Sequence, residues 1–199
     1  MAAPADDIHG CAGAHRRLGA VVADIGDADV GAASGLPSWT VGHVLTHLAR
    51  NAEAMCRRID AAAQGQVIDQ YAGGAAGREA AIAAGATRSA REIGEDISVW
   101  AGRLDDLFES LPEDIWERSV RTVAGAEHPV SQLPFRRWRE VEVHLVDLRL
   151  GYTARDWPPE FVQRALPRLL AGLADRADRR DLTAWLFGRG GPPTLDPWG

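Results

Sequence analysis

Apolar residues recur at helical spacing through most of this chain, and no series of short alternating runs bounded by turn residues competes with them. Each segment so patterned must bury one stripe against another, so the sequence predicts an all-α protein. A first helix is expected from about Asp6 to Ile25, where Gly26, Gly31 and Gly35 break the pattern. Pro37, Ser38 and Thr40 then signal a second, from Val41 to Ala63, because a hydroxyl can cap the free amides of a first turn. Gly73, Gly74 and Gly77 mark a connection, and a long third helix is predicted from Arg78 to Leu111, closed by Pro112. The stretch from Trp116 to Pro134 reads as irregular, with Val120 and Val123 in a short strand, and a fourth helix runs from Phe135 to Leu150, stopped by Gly151. Four such helices, two of them joined by a long crossover, suit an antiparallel four-helix bundle with a site in its core.

Beyond Pro158 and Pro159 a fifth helix is expected from Glu160 to Ala177, then a short element from Leu182 to Phe187. The organisation predicted is a bundle of residues 1–154 and a short C-terminal appendage of residues 155–199, packed on the bundle through Trp185 and Trp198. Trp39, Trp138 and Trp185 are read as core anchors, the commoner use of so large an apolar side chain.

Charge narrows the partners. A net charge of −6, with 25% charged residues, offers no basic footprint for nucleic acid. All 22 basic residues are Arg, a compositional bias that carries no chemistry of its own. The N-terminal segment has acidic residues ahead of its apolar stretch, unlike a secretory signal, and no segment approaches the roughly 20 apolar residues that a membrane span needs. Cys11 and Cys56 form no paired metal or redox spacing, so both are read as buried fillers, and a reducing cytoplasm is the expected compartment. Cys56 falls about 180° around its helix from His47 and should face away from it.

The chemistry lies in two pairs. His43 and His47 on the second helix, and Glu140 and His144 on the fourth, are each four residues apart and so lie about 40° apart around their axes. Imidazoles and a carboxylate on facing helices are the donors of a zinc site, and three protein ligands leave one coordination position open. Glu140, His144 and Asp147 form a polar stripe among Val141, Val143, Leu145, Val146 and Leu148. If that stripe is buried, its groups must be paired or metal-bound; periodicity equally allows it to face solvent.

The segments LPSWTVGHVLTHLARNAEAM, RRWREVEVHLVDLRLGY and AWLFGR together resemble the mycothiol-dependent maleylpyruvate isomerase family, within the DinB-like superfamily of four-helix-bundle metalloenzymes. The resemblance implies that His47, Glu140 and His144 hold zinc or another divalent metal, and that His43 matches a position next to the site that is not a ligand; four-residue spacing keeps His43 as the runner-up ligand. It implies that Asp147 orients a ligand, and that Arg78 and Arg189 serve the active site, where a guanidinium can bind a substrate carboxylate bidentately. Mycothiol would then be the thiol cosubstrate: its thiolate adds to the cis double bond of a dicarboxylic keto acid, the new single bond rotates, and elimination releases the trans isomer. The partners expected are a small-molecule substrate and a low-molecular-weight thiol, with no membrane and no nucleic acid. The family's larger members carry a longer C-terminal domain than the segment after Tyr152, which touches the choice of substrate. The rivals are a mycothiol S-transferase for another electrophile, hydrolysis by metal-bound water, and a non-enzymatic metal-binding bundle.

Overall fold

A computed structural model describes residues 3–196. The main helices are α1 (Ala5–Ala23), the single turn α2 (Asp27–Val30), α3 (Val41–Ala63), α4 (Gly74–Gly85), α5 (Ala90–Ser110) and α6 (Leu133–Asp147). After them come α7 (Pro159–Ala171) and α8 (Arg179–Leu186). The only strands among the described residues are β1 (Ser119–Arg121) and β2 (Glu127–Pro129), an antiparallel pair in which Val120 faces His128. Val120 is thus in a strand as predicted, whereas Val123 lies in the turn between the two.

Local chemistry explains most boundaries. Thr40 caps α3 by accepting the His43 amide N–H, while the His43 ring accepts the Thr40 amide N–H in return. The long helix expected from Arg78 to Leu111 is instead two helices. Ser89 and Glu92 close a reciprocal capping box that starts α5, and Arg88 turns back onto the Gly85 carbonyl to end the preceding segment. The fourth predicted helix ends at Asp147 rather than Leu150, because Arg149 already has a left-handed backbone (φ 58°) ahead of Gly151. The fifth stops at Ala171 rather than Ala177, at Gly172.

Helices α1, α3, α5 and α6 form the bundle, with α3 and α1 each packed on both α5 and α6. Ion pairs Arg50–Asp96 and Arg103–Asp60 show α3 and α5 running parallel, as the crossover through α4 requires. Cross-links Arg17–Glu142 and His15–Arg137 place α1 parallel to α6, and the two pairs lie antiparallel to each other. Leu18, Val44, Leu45, Leu48, Ile93, Leu104, Val141 and Leu145 fill the centre with no exposed surface. No helix among the described residues is long and apolar enough to cross a membrane.

The chain divides into two compact units, residues 1–156 and 157–199. In the second, Phe161, Ala165 and Leu182 are buried while Leu166, Leu169, Leu170 and Phe187 are exposed. Trp185 is 40% exposed and is not a core anchor, contrary to expectation; Trp198 lies outside the described residues.

Candidate metal centre

The polar stripe of α6 faces inward. Val141, Leu145 and Leu148 on its flank are buried in the core, and the same rotation carries Glu140 and His144 toward α3, where His47 meets them. His47 Nε2 lies 3.2 Å from Glu140 Oε2, and His144 Nε2 lies 3.7 Å from the same oxygen. The two imidazole rings stand nearly perpendicular, at 89°, with centroids 4.9 Å apart. All three donor atoms fall within 4.8 Å of one another. Donors that each approach one cation to about 2.0–2.2 Å in tetrahedral directions are themselves roughly 3–3.5 Å apart, so this set fits a zinc-sized ion.

The protonation states suit the same use. Burial disfavours the imidazolium of His47 and holds its pKa down at about 4, despite the partly offsetting attraction of Glu140. Burial alone would raise Glu140, yet the His47 hydrogen bond and the charges of His47, His144 and Arg139 outweigh it and hold the carboxyl at about 2. Near neutral pH, His47 is therefore neutral and Glu140 ionised, as metal ligands must be. Asp147 Oδ2 accepts from His144 Nδ1 at 2.8 Å, which leaves the Nε2 lone pair of that ring directed to the centre.

His43 lies outside this donor set. Its Nδ1 is held 2.8 Å from the Thr40 hydroxyl, so the second imidazole of α3 serves the helix cap.

Residues 11–149 match the family model described as the mycothiol maleylpyruvate isomerase N-terminal domain. The chain belongs to this family. Two crystal structures resemble it: that of the mycothiol-dependent maleylpyruvate isomerase, at 27% identity and a TM-score of 0.75, and that of a histidine-to-alanine mutant of the isomerase, at 26% and 0.73. Each similarity covers 82% of this chain and 70% of the other. No curated protein matches. The helical bundle is thus that of an enzyme family, the mycothiol maleylpyruvate isomerases.

Around the three donors this family member places side chains that sequence periodicity does not single out. Trp39 is half-buried and its ring meets His47 edge-on at 5.8 Å between centroids, so it walls the centre and is not the core anchor expected. Arg78, on α4, directs Nη2 to His47 Nδ1 at 3.2 Å. Its guanidinium carbon lies 5.8 Å from the Trp39 ring centroid and 5.9 Å from that of Tyr71, within cation–π range of both. Arg189 belongs to the second unit and is exposed, and among the described residues its guanidinium donates to its neighbour's carbonyl, that of Gly188.

Arg137 could have been noticed in the sequence, because it shares the apolar face of α6 with Trp138, Val141 and Leu145. It is fully buried and donates to the Leu48 carbonyl at 2.8 Å and to Asn51 Oδ1 at 2.9 Å, clamping α3 beside His47 to α6 one turn before Glu140. Its Nε–H also donates to His15 Nε2 at 3.0 Å, and His15 Nδ1–H in turn donates to Asp105 at 2.8 Å. Cys11, His15 and Asp105 are the second group of potential metal donors among the described residues. With both His15 nitrogens engaged and the Arg137 guanidinium where a metal ion would bind, this group is a core network. Cys11 and Cys56 are buried, and burial drives both thiols up, Cys56 to about 12, so neither is available as a thiolate.

Proposed function

We propose that this chain is a metal- and thiol-dependent isomerase of a maleylpyruvate-like dicarboxylic keto acid, with mycothiol as cosubstrate and zinc or another divalent cation held by His47, Glu140 and His144. The observation that carries this reading is the convergence of two imidazoles and one carboxylate from facing helices, in a protein whose own cysteines are both buried and protonated. A divalent cation bound there supplies stabilisation of a thiol as its thiolate, the nucleophilic form.

The chain's own residues then have distinct tasks. Asp147 fixes the tautomer and ring orientation of His144. Trp39 covers the His47 side and limits access of water. Arg78, which reaches the His47 ring, is the cation assigned to a substrate carboxylate, and the resemblance of the WLFGR segment assigns Arg189 a part in activity. A reducing cytoplasm, in which a small thiol persists, is the compartment that suits this chemistry.

The test incubates zinc-loaded protein with maleylpyruvate, with and without mycothiol. We expect about one metal per chain, trans product only when the thiol is present, and loss of most of the metal in each of His47→Ala, Glu140→Ala and His144→Ala. Full metal content in all three variants would remove the centre. Conversion without thiol would assign the chemistry to metal-bound water, and a stable thioether without isomerisation would make the protein a mycothiol S-transferase.

A further inference from the structure

The two histidines of the centre are prepared differently. His144 Nδ1–H donates to Asp147, so its one neutral-state proton sits away from the centre and Nε2 offers a lone pair. His47 has the opposite arrangement. Its Nδ1 faces Arg78 Nη2, and a guanidinium has N–H donors but no acceptor. Nδ1 must therefore accept, the single ring proton resides on Nε2, and that N–H donates to the Glu140 carboxylate 3.2 Å away. The chain Arg78–His47–Glu140 is a closed hydrogen-bonded set in which His47 has no free lone pair.

A metal ligand needs one. If Nε2 coordinates, the ring proton moves to Nδ1 and there meets an Arg78 N–H, donor against donor. If Nδ1 coordinates, the metal takes the lone pair that Arg78 uses. In both cases the neutral ring keeps one proton, the proton count is unchanged, and the Arg78–His47 hydrogen bond is lost. Like-charge repulsion between guanidinium and cation acts in the same direction.

We propose that Arg78 and the metal compete for His47, Arg78 acting as a plug that metal loading displaces, which frees its guanidinium for a substrate carboxylate. The faces of Trp39 and Tyr71 keep the released cation at the mouth of the centre, because ring-face attraction does not depend on the His47 contact. Anion binding by Arg78 is thereby made conditional on the metal. The inference rests on the metal reading above and adds to it a residue whose effect on metal affinity has a defined sign.

The experiment measures zinc affinity by chelator competition for the wild type, Arg78→Met and Arg78→Gln, and follows the His47 ring nitrogens by two-bond ¹H–¹⁵N NMR. Removing the competitor should tighten zinc binding in both variants by about tenfold, the worth of one hydrogen bond to a charged group that loading no longer has to break. In the wild type, the His47 proton should sit on Nε2 without metal and leave that nitrogen, or the Arg78 contact, once zinc is bound through Nε2 or Nδ1 respectively. Unchanged or weaker zinc binding in both variants would overturn the plug while leaving the metal centre intact. Failure of all three proteins to bind zinc would instead overturn the centre, and the plug with it.

Discussion

His47 ties the candidate centre to acid sensitivity. Its pKa is about 4 in the folded protein against an ordinary 6.5, chiefly because burial penalises the imidazolium. Between those two values an unfolded chain binds a proton that the folded chain refuses, so this group's contribution to stability is complete above pH 6.5 and declines as pH falls toward 4. Glu140 acts with the same sign lower down: held at about 2 against 4.5, it contributes above pH 4.5 and loses that contribution as pH falls toward 2. His15 and His128, also lowered by burial, add to the upper window. Urea midpoints of the metal-free protein should therefore fall between pH 7 and pH 4.5, and His47→Asn should flatten the fall without abolishing it. Identical slopes for the two proteins would show that the His47 proton is not linked to folding.

Close approach sets the geometry at the scale of elements. Gly42, in the first turn of α3, lies so near the Ala86 carbonyl, just after α4, that a Cβ there would fall inside that oxygen's van der Waals shell and against Val30 of α2. The first of these neighbours is backbone and cannot rotate away, so Gly42→Ala must push α3 and the end of α4 apart. Overpacking of this kind costs about 1–3 kcal/mol. Because α3 carries His47 and α4 carries Arg78, the same shift should weaken zinc binding as well as lower the urea midpoint. A Gly42→Ala protein with unaltered midpoint would mean that α4 yields freely. The division of the predicted Arg78–Leu111 helix has a comparable local origin: Ser89 and Glu92 were a legible start signal inside a stretch whose apolar periodicity runs on regardless. Periodicity alone reports which face is buried, and it does not register a break that preserves the face.

For the whole molecule, the informative residue is Arg189. It is exposed, and its side chain meets only an adjacent carbonyl among the described residues, so Arg189→Ala should change stability by no more than about 0.5 kcal/mol. It should leave zinc content unchanged, and if it serves a substrate carboxylate it should reduce kcat/KM for a dicarboxylic substrate by about 10–100-fold, the worth of one charge-assisted hydrogen-bonded pair. Unchanged kinetics would remove it from the site, and unfolding would assign it a structural role. Its assignment comes from the WLFGR segment alone. The range of each signal separates what each level decided about this protein. Helical periodicity, the Thr40 cap and the four-residue spacings are short-range signals, and they suffice for an all-α bundle, for the span Val41–Ala63 and for the pairing of Glu140 with His144 on one helix face. They could not choose between His43 and His47, which differ by about 40° around one axis. That choice required the family resemblance in the sequence, and physically it depends on how α3 is rotated against α6, across 93 residues of chain. Only packing settles such a rotation: Arg137 clamps Leu48 and Asn51 to α6, Trp39 closes over His47 and Arg78 reaches in from α4, through contacts between residues that no local pattern links.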